Sequence, residues 1–209
     1  MNLLGFTSGR TATGERQPNV LAAVPSLKLS ILTGGFGFCL ASVCVFATVA
    51  FAERWMYNRL GLSGAYFAWT ALYILLGGGV LGVLVVGPWR LPRFYLLFGL
   101  AFFAYAAAWV SAYFLLSGVI GEWVGSLAGS ILMCSVLAAG FGVMRSTLSL
   151  SVVMFVANSV GYFLGSAFNN SIQGKIGMLL WGAAYGLCFG FGLGAVLHLA
   201  QTRRESRLR

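Results

Sequence analysis

The chain has no aspartate and a single histidine, His198, and its acidic residues are four glutamates, Glu15, Glu53, Glu122 and Glu205. Chemistry that depends on paired aspartates or clustered histidines therefore has no residues to use. Charge of either sign is scarce, since Asp, Glu, Lys and Arg make up 8% of 209 residues, against about 25% in an ordinary soluble domain. So few charges could not cover the outside of a soluble globule. The four cysteines, Cys39, Cys44, Cys134 and Cys188, form no C-x-x-C pair, and each lies in an apolar stretch. They read as small hydrophobes rather than as a disulfide or metal set.

What the chain has instead is apolar length. Hydrophobic residues are 59% of the total and the mean hydropathy is +0.90, a membrane composition. A spanning helix needs about 20 predominantly apolar residues, and six segments qualify: 29–51, 65–87, 94–117, 123–144, 148–168 and 176–200. The first stops at Ala52-Glu53-Arg54. Pro88-Trp89-Arg90-Leu91-Pro92-Arg93 reads as a turn too rich in proline and charge to stay helical. Residues 118–122 make a tight connection, and Arg145-Ser146-Thr147 separates the fourth segment from the fifth. Ala50-Phe51-Ala52 has the form of a signal cleavage site, but the apolar run before it, about 21 residues, exceeds a signal h-region. The expected architecture is an all-α, polytopic six-transmembrane-helix bundle over 29–200, with a flexible tail over 1–28 and a basic tail over 201–209.

Charge distribution gives the expected orientation, because cytoplasmic loops carry the excess of lysine and arginine. With the N-terminus inside, Arg10, Arg16, Lys28, Arg90, Arg93, Arg145, Arg203, Arg204, Arg207 and Arg209 face the cytoplasm, while Arg54, Arg59 and Lys175 face out. Both termini are then cytoplasmic, and a bacterial inner membrane is the expected location. The formal net charge of +9 follows from this topology and from anionic inner-leaflet lipid, so no nucleic-acid partner is called for. Asn169-Asn170-Ser171 matches a glycosylation sequon on the expected outer side. Trp55, Trp89 and Trp123 flank spans and read as interfacial anchors.

Glycine supplies the most specific pattern. There are 29, and in lipid small residues let helix backbones approach closely, so their spacing matters. Gly182, Gly186, Gly190 and Gly194 recur every four residues and so share one face of the last segment. Gly161 and Gly165 repeat the interval in the fifth. These six are the expected helix-packing interface, either within one bundle or with another membrane subunit.

Chemically equipped residues are few. Asn158 is the most polar group within a span, with Tyr162 one turn on; it reads as an interhelical hydrogen-bonding group or as a polar handle for a neutral ligand. His198 reads as an interfacial side chain, with axial ligation of a haem or chlorin as the alternative. Asn158, Tyr162 and His198 are thus the candidate ligand-binding residues. Mid-span Trp69, Phe102, Phe103, Tyr105, Trp109 and Tyr113 read as packing or lipid-facing groups. A serine-protease reading fails on geometry, since Ser126 and Ser130 lie near the outer end of their span and His198 at the opposite end of its own. No catalytic residue, metal site or required cofactor is expected. The first functional reading is a non-catalytic scaffold or accessory subunit of a larger membrane complex, with lipid and other subunits as partners. The second is a small carrier, or the binding component of one, for a neutral or lipophilic molecule. A central cavity lined by Asn158 and aromatics would favour the second, and a packed centre with a flat glycine face outside the first.

Overall fold

The computed structural model describes residues 23–87 and 90–208. Most of the expected N-terminal tail, Pro88 and Trp89 of the expected turn, and Arg209 lie outside the described residues. The described chain is all-α, and five of its helices are long and apolar enough to cross a membrane.

Helix α1 spans Leu27–Leu81 and is capped by Ser26, whose Oγ accepts the Leu29 N–H at 3.3 Å. Laid out straight, 55 residues would reach about 80 Å, far beyond a hydrocarbon core of about 30 Å. The helix instead breaks at Gly61, with φ 67° and ψ −179°, a conformation that a residue with a Cβ adopts only under strain. The two legs, 27–60 and 62–81, return side by side. Gly37 faces Val80, Phe38 stacks on Tyr73, the Ser42 and Tyr73 hydroxyls lie 2.9 Å apart, and Tyr57 meets Trp69. Numbers that rise on one leg as they fall on the other mark an antiparallel hairpin.

Helices α2 (Arg90–Leu116), α3 (Gly118–Phe141), α4 (Thr147–Ile172) and α5 (Gly174–Leu208) follow. Ser117 and Gln173, each with positive φ and followed by a positive-φ glycine, reverse the chain within two residues. Gly142 ends α3 in the left-handed conformation, its N–H donating to the Ala138 and Ala139 carbonyls, the usual way a helix C-terminus satisfies its orphan acceptors. Consecutive helices run antiparallel, and α5 runs antiparallel to the first leg of α1. On α5, Gly194 lies against Ser30, Gly190 against Gly34, Gly186 against Ser42 and Gly182 against Phe46 of the first leg. Gly161 and Gly165 of α4 lie against Tyr185 and Trp181 of α5, and Gly121, Gly125 and Gly129 of α3 against Tyr113, Trp109 and Tyr105 of α2. The outside is apolar: Leu40, Phe67, Leu115 and Leu148 are all exposed, as a lipid-facing surface requires.

The helices outrun the expected spans. The first leg continues through Ala52-Glu53-Arg54 to residue 60, because charge ends an apolar run without ending a helix, and no breaker occurs before Gly61. Residues 90–93, expected to be non-helical, open α2; Pro92 sits in its first turn, where a missing N–H removes no intrahelical bond. The expected connection over 118–122 is already the start of α3. Residues 201–208, expected as a tail, continue α5, and Gln201 there is buried. Gln201 Oε1 accepts the Val86 N–H at 3.0 Å while its Nε2 donates to the Leu84 carbonyl at 3.0 Å. It thereby satisfies the backbone where the second leg ends after the 3-10 turn Gly82–Leu84.

Candidate functional site

Three helical segments carry aromatic residues at intervals that put them on one face. Tyr66, Trp69 and Tyr73 do so on the second leg of α1, Tyr105, Trp109 and Tyr113 on α2, and Trp181 and Tyr185 on α5. Phe46, Glu53 and Tyr57 on the first leg and Tyr162 on α4 complete the ring. These faces converge on a cavity of about 320 Å³ in the half of the bundle nearer Gly61. Seven of the chain's eight tyrosines line it. Among the described residues, Glu53 is the one charged side chain on its wall.

The floor is a directed chain of hydrogen bonds. Tyr73, Tyr105 and Tyr185 are buried there. The Tyr105 hydroxyl donates to Asn158 Oδ1 at 2.7 Å, so its 3.0 Å contact with the Tyr185 hydroxyl must be one in which Tyr185 donates, a hydroxyl having one proton. Asn158 Nδ2 donates to Ser126 Oγ at 2.6 Å, and Ser126 pairs with Ser159 at 2.7 Å. The order Tyr185 to Tyr105 to Asn158 to Ser126 joins α5, α2, α4 and α3. Unpaired, each of these groups would cost free energy in a medium without water.

The wall is less complete. The indole N–H groups of Trp69 and Trp109 are buried and have no hydrogen-bond partner among the described residues. Buried polar groups are nearly always paired, and both rings line the cavity, so a small turn of either ring would bring an unsatisfied donor to a guest's acceptor. Toward the rim, Tyr57 and Tyr66 each meet Trp69 edge to face, with ring centroids 5.7 and 5.5 Å apart and planes at 80° and 82°. Glu53 beside them is exposed. Across the bundle, Tyr162 donates to Glu122 Oε1 at 3.1 Å and packs on Trp109 and Trp181. Between the second leg and α2 lies a groove of about 330 Å³ that shares Tyr66, Thr70, Ala106 and Val110 with the cavity and is bounded outside by the exposed Phe67, Phe103 and Phe114.

The three candidate ligand residues part company. Tyr162 lines the cavity, and Asn158, fully buried, stands one bond behind its wall through Tyr105. His198 lies 13 residues further along α5 than Tyr185, roughly 20 Å of helical rise, and its Nδ1 is 2.8 Å from the Pro25 carbonyl. It ties the chain entering α1 to α5. Of the mid-span aromatics read as packing or lipid-facing groups, all but Phe103 line the cavity, and Phe103 lines the groove. The residues that sequence reasoning missed are Glu53, Tyr57, Tyr66, Tyr73 and Tyr185. Their signal was the helical spacing of tyrosine and tryptophan on several segments at once. Among the described residues no three His, Cys, Asp or Glu side chains gather as a metal would require. Compared with known proteins, the chain matches no family model, no curated protein and no solved structure.

Proposed function

We propose that the protein is a membrane-embedded binding component or small carrier for a lipophilic small molecule that occupies the tyrosine-lined cavity, and that it binds this molecule without turning it over. The observation that carries the reading is the cavity itself, with twelve aromatic side chains among its nineteen lining residues. At about 320 Å³ the space is at the small end of ligand pockets, which run from about 300 Å³ upward. The groove beside it, with its exposed phenylalanines, gives a molecule dissolved in the bilayer a lateral approach. A glycine face turned outward would favour a scaffold, whereas Gly182, Gly186, Gly190 and Gly194 lie against the first leg; that favours the binding reading.

The proposal includes a topology. Each leg of α1 crosses the membrane, giving six crossings with both chain ends on the cytoplasmic side of a bacterial inner membrane. The hairpin at Gly61 supports the count. The arginine excess at the end that carries Arg90, Arg93, Arg145, Arg203 and Arg204 supports the orientation. The cavity then opens toward the outer side, where Glu53 lies.

Tryptophan emission of the protein in mild detergent, titrated with 1-naphthol, tests the binding reading. A saturable change that Trp109→Leu weakens severalfold is expected. A linear, non-saturating response with no small molecule retained in native mass spectrometry would sink it.

A further inference from the structure

The geometry points to an organic ammonium ion carrying an oxygen acceptor as the ligand class of this cavity, an inference that rests on the binding reading above. The first ground is the sign of the wall. An aromatic face is electron-rich and attracts a cation within about 6 Å of its centroid, more strongly where water is excluded. Twelve of the nineteen lining side chains are aromatic, and the one charged liner among the described residues is the carboxylate Glu53. Arg54 and Arg59, on the same leg, are exposed and contribute nothing to the wall. Lys175, at the same end, lies 4.6 Å over the ring of Phe51, which is not a lining residue. A guest anion would meet the negative faces of rings and a carboxylate.

The second ground is the shape of the rim. Tyr57 and Tyr66 stand nearly perpendicular to Trp69, so the rings form adjoining walls rather than a flat stack, and Glu53 is one helical turn from Tyr57. Adjoining walls offer faces to a rounded alkylammonium head from more than one side, whereas a flat neutral ring would be better served by parallel rings. The third ground is independent of charge. The buried Trp69 and Trp109 N–H groups lack acceptors among the described residues, and an ammonium head has none to offer. An ester, carbonyl or hydroxyl oxygen on the same molecule would supply one once either indole turned toward the cavity.

Acetylcholine and its uncharged carbon isostere, 3,3-dimethylbutyl acetate, separate the charge from the shape and the carbonyl. Binding is measured by tryptophan emission and calorimetry on the full chain in mild detergent. Acetylcholine is expected to bind at least about tenfold more tightly than the isostere. Glu53→Gln, at an exposed position, should weaken acetylcholine about tenfold while leaving the isostere and the melting temperature unchanged. Trp69→Phe, which keeps a ring and removes the N–H, should weaken both. Equal affinity for the two probes, or an unchanged affinity for acetylcholine in Glu53→Gln, overturns the cationic assignment. If 1-naphthol still binds in that case, the binding reading survives; if none of the three binds, both fall. Reconstitution in phosphatidylcholine and in phosphatidylglycerol nanodiscs identifies the source. Competition by the choline lipid alone makes the ammonium a lipid headgroup, and equal binding in both makes it a free solute.

Discussion

The α1–α5 contact should be the least forgiving place in the molecule for a single methyl group. A Cβ built on Gly190 would lie on the Gly34 carbonyl oxygen, 2.8 Å from Phe38 Cβ and 2.9 Å from the Gly34 carbonyl carbon. Ordinary contact begins at 3.4 Å, so the helices would have to part by about 0.6 Å at Phe38 and by more at the Gly34 oxygen. Two of these three neighbours are backbone, and no rotamer change relieves them. A gap of about 0.5–1 Å forfeits a quarter to a half of the dispersion energy of the atoms facing it, and forced overpacking costs about 1–3 kcal/mol. Gly190→Ala should therefore destabilise by about 2–3 kcal/mol, with Gly190→Leu more severe. Gly99→Ala is the matched control: its Cβ would meet only Ile74 Cγ2, at 3.5 Å, so removing a helical glycine there should be neutral or stabilising by about 0.5–1 kcal/mol. Thermal melting in mild detergent reads the difference. If Gly190→Ala melts with wild type and with Gly99→Ala, close backbone approach is not what holds α5 to the first leg.

Four further outcomes follow from particular contacts. Gln201→Leu strands the Val86 N–H and the Leu84 carbonyl, and at about 1–3 kcal/mol per buried unsatisfied group it should lower the melting temperature clearly, with Gln201→Ala no better. Asn158→Leu should cost on the order of 1 kcal/mol, because Tyr105 and Ser126 keep their bonds to Tyr185 and Ser159; a loss of naphthol binding larger than the stability loss would instead make Asn158 part of the binding surface. Gly61→Ala, with open space around it but φ at 67° and ψ at −179°, should cost about 1–3 kcal/mol of backbone strain; melting equal to wild type would mean the hairpin does not depend on that conformation. In the six-crossing topology, cysteines placed at Asn58 and Asn170 should label from outside intact cells and one at Arg93 should not; outside labelling at Arg93 refutes it.

Sequence and structure agree where one physical quantity decides, and part where several must coincide. Apolar length is such a quantity, which is why the helical segments were legible and their ends were not: hydropathy reports where lipid stops, while a helix stops at a residue that cannot continue it. Glu53 and Tyr57 fall in a connection on the first criterion and belong to a helix on the second. That difference hides Glu53, the one charged liner of the cavity among the described residues. Gln201 was lost in the same way, as a polar residue beside a basic tail that turns out to face the end of another helix. The tyrosines failed differently. Spacing alone shows that Tyr105, Trp109 and Tyr113 share a face, but a face of aromatics is equally suited to lipid, to a packed core or to a cavity. What separates these is whether the opposing helices present aromatics at the same depth, and that depends on register: Tyr73 opposite Ser42, and Tyr185 opposite Tyr105. Register here is set by the glycines of α3, α4 and α5, whose missing side chains admit Tyr105, Trp181 and Phe46. The glycine ridge and the aromatic cavity are therefore two sides of one arrangement, since the helices that approach closely at glycine on one face hold their rings at matched depth on the next.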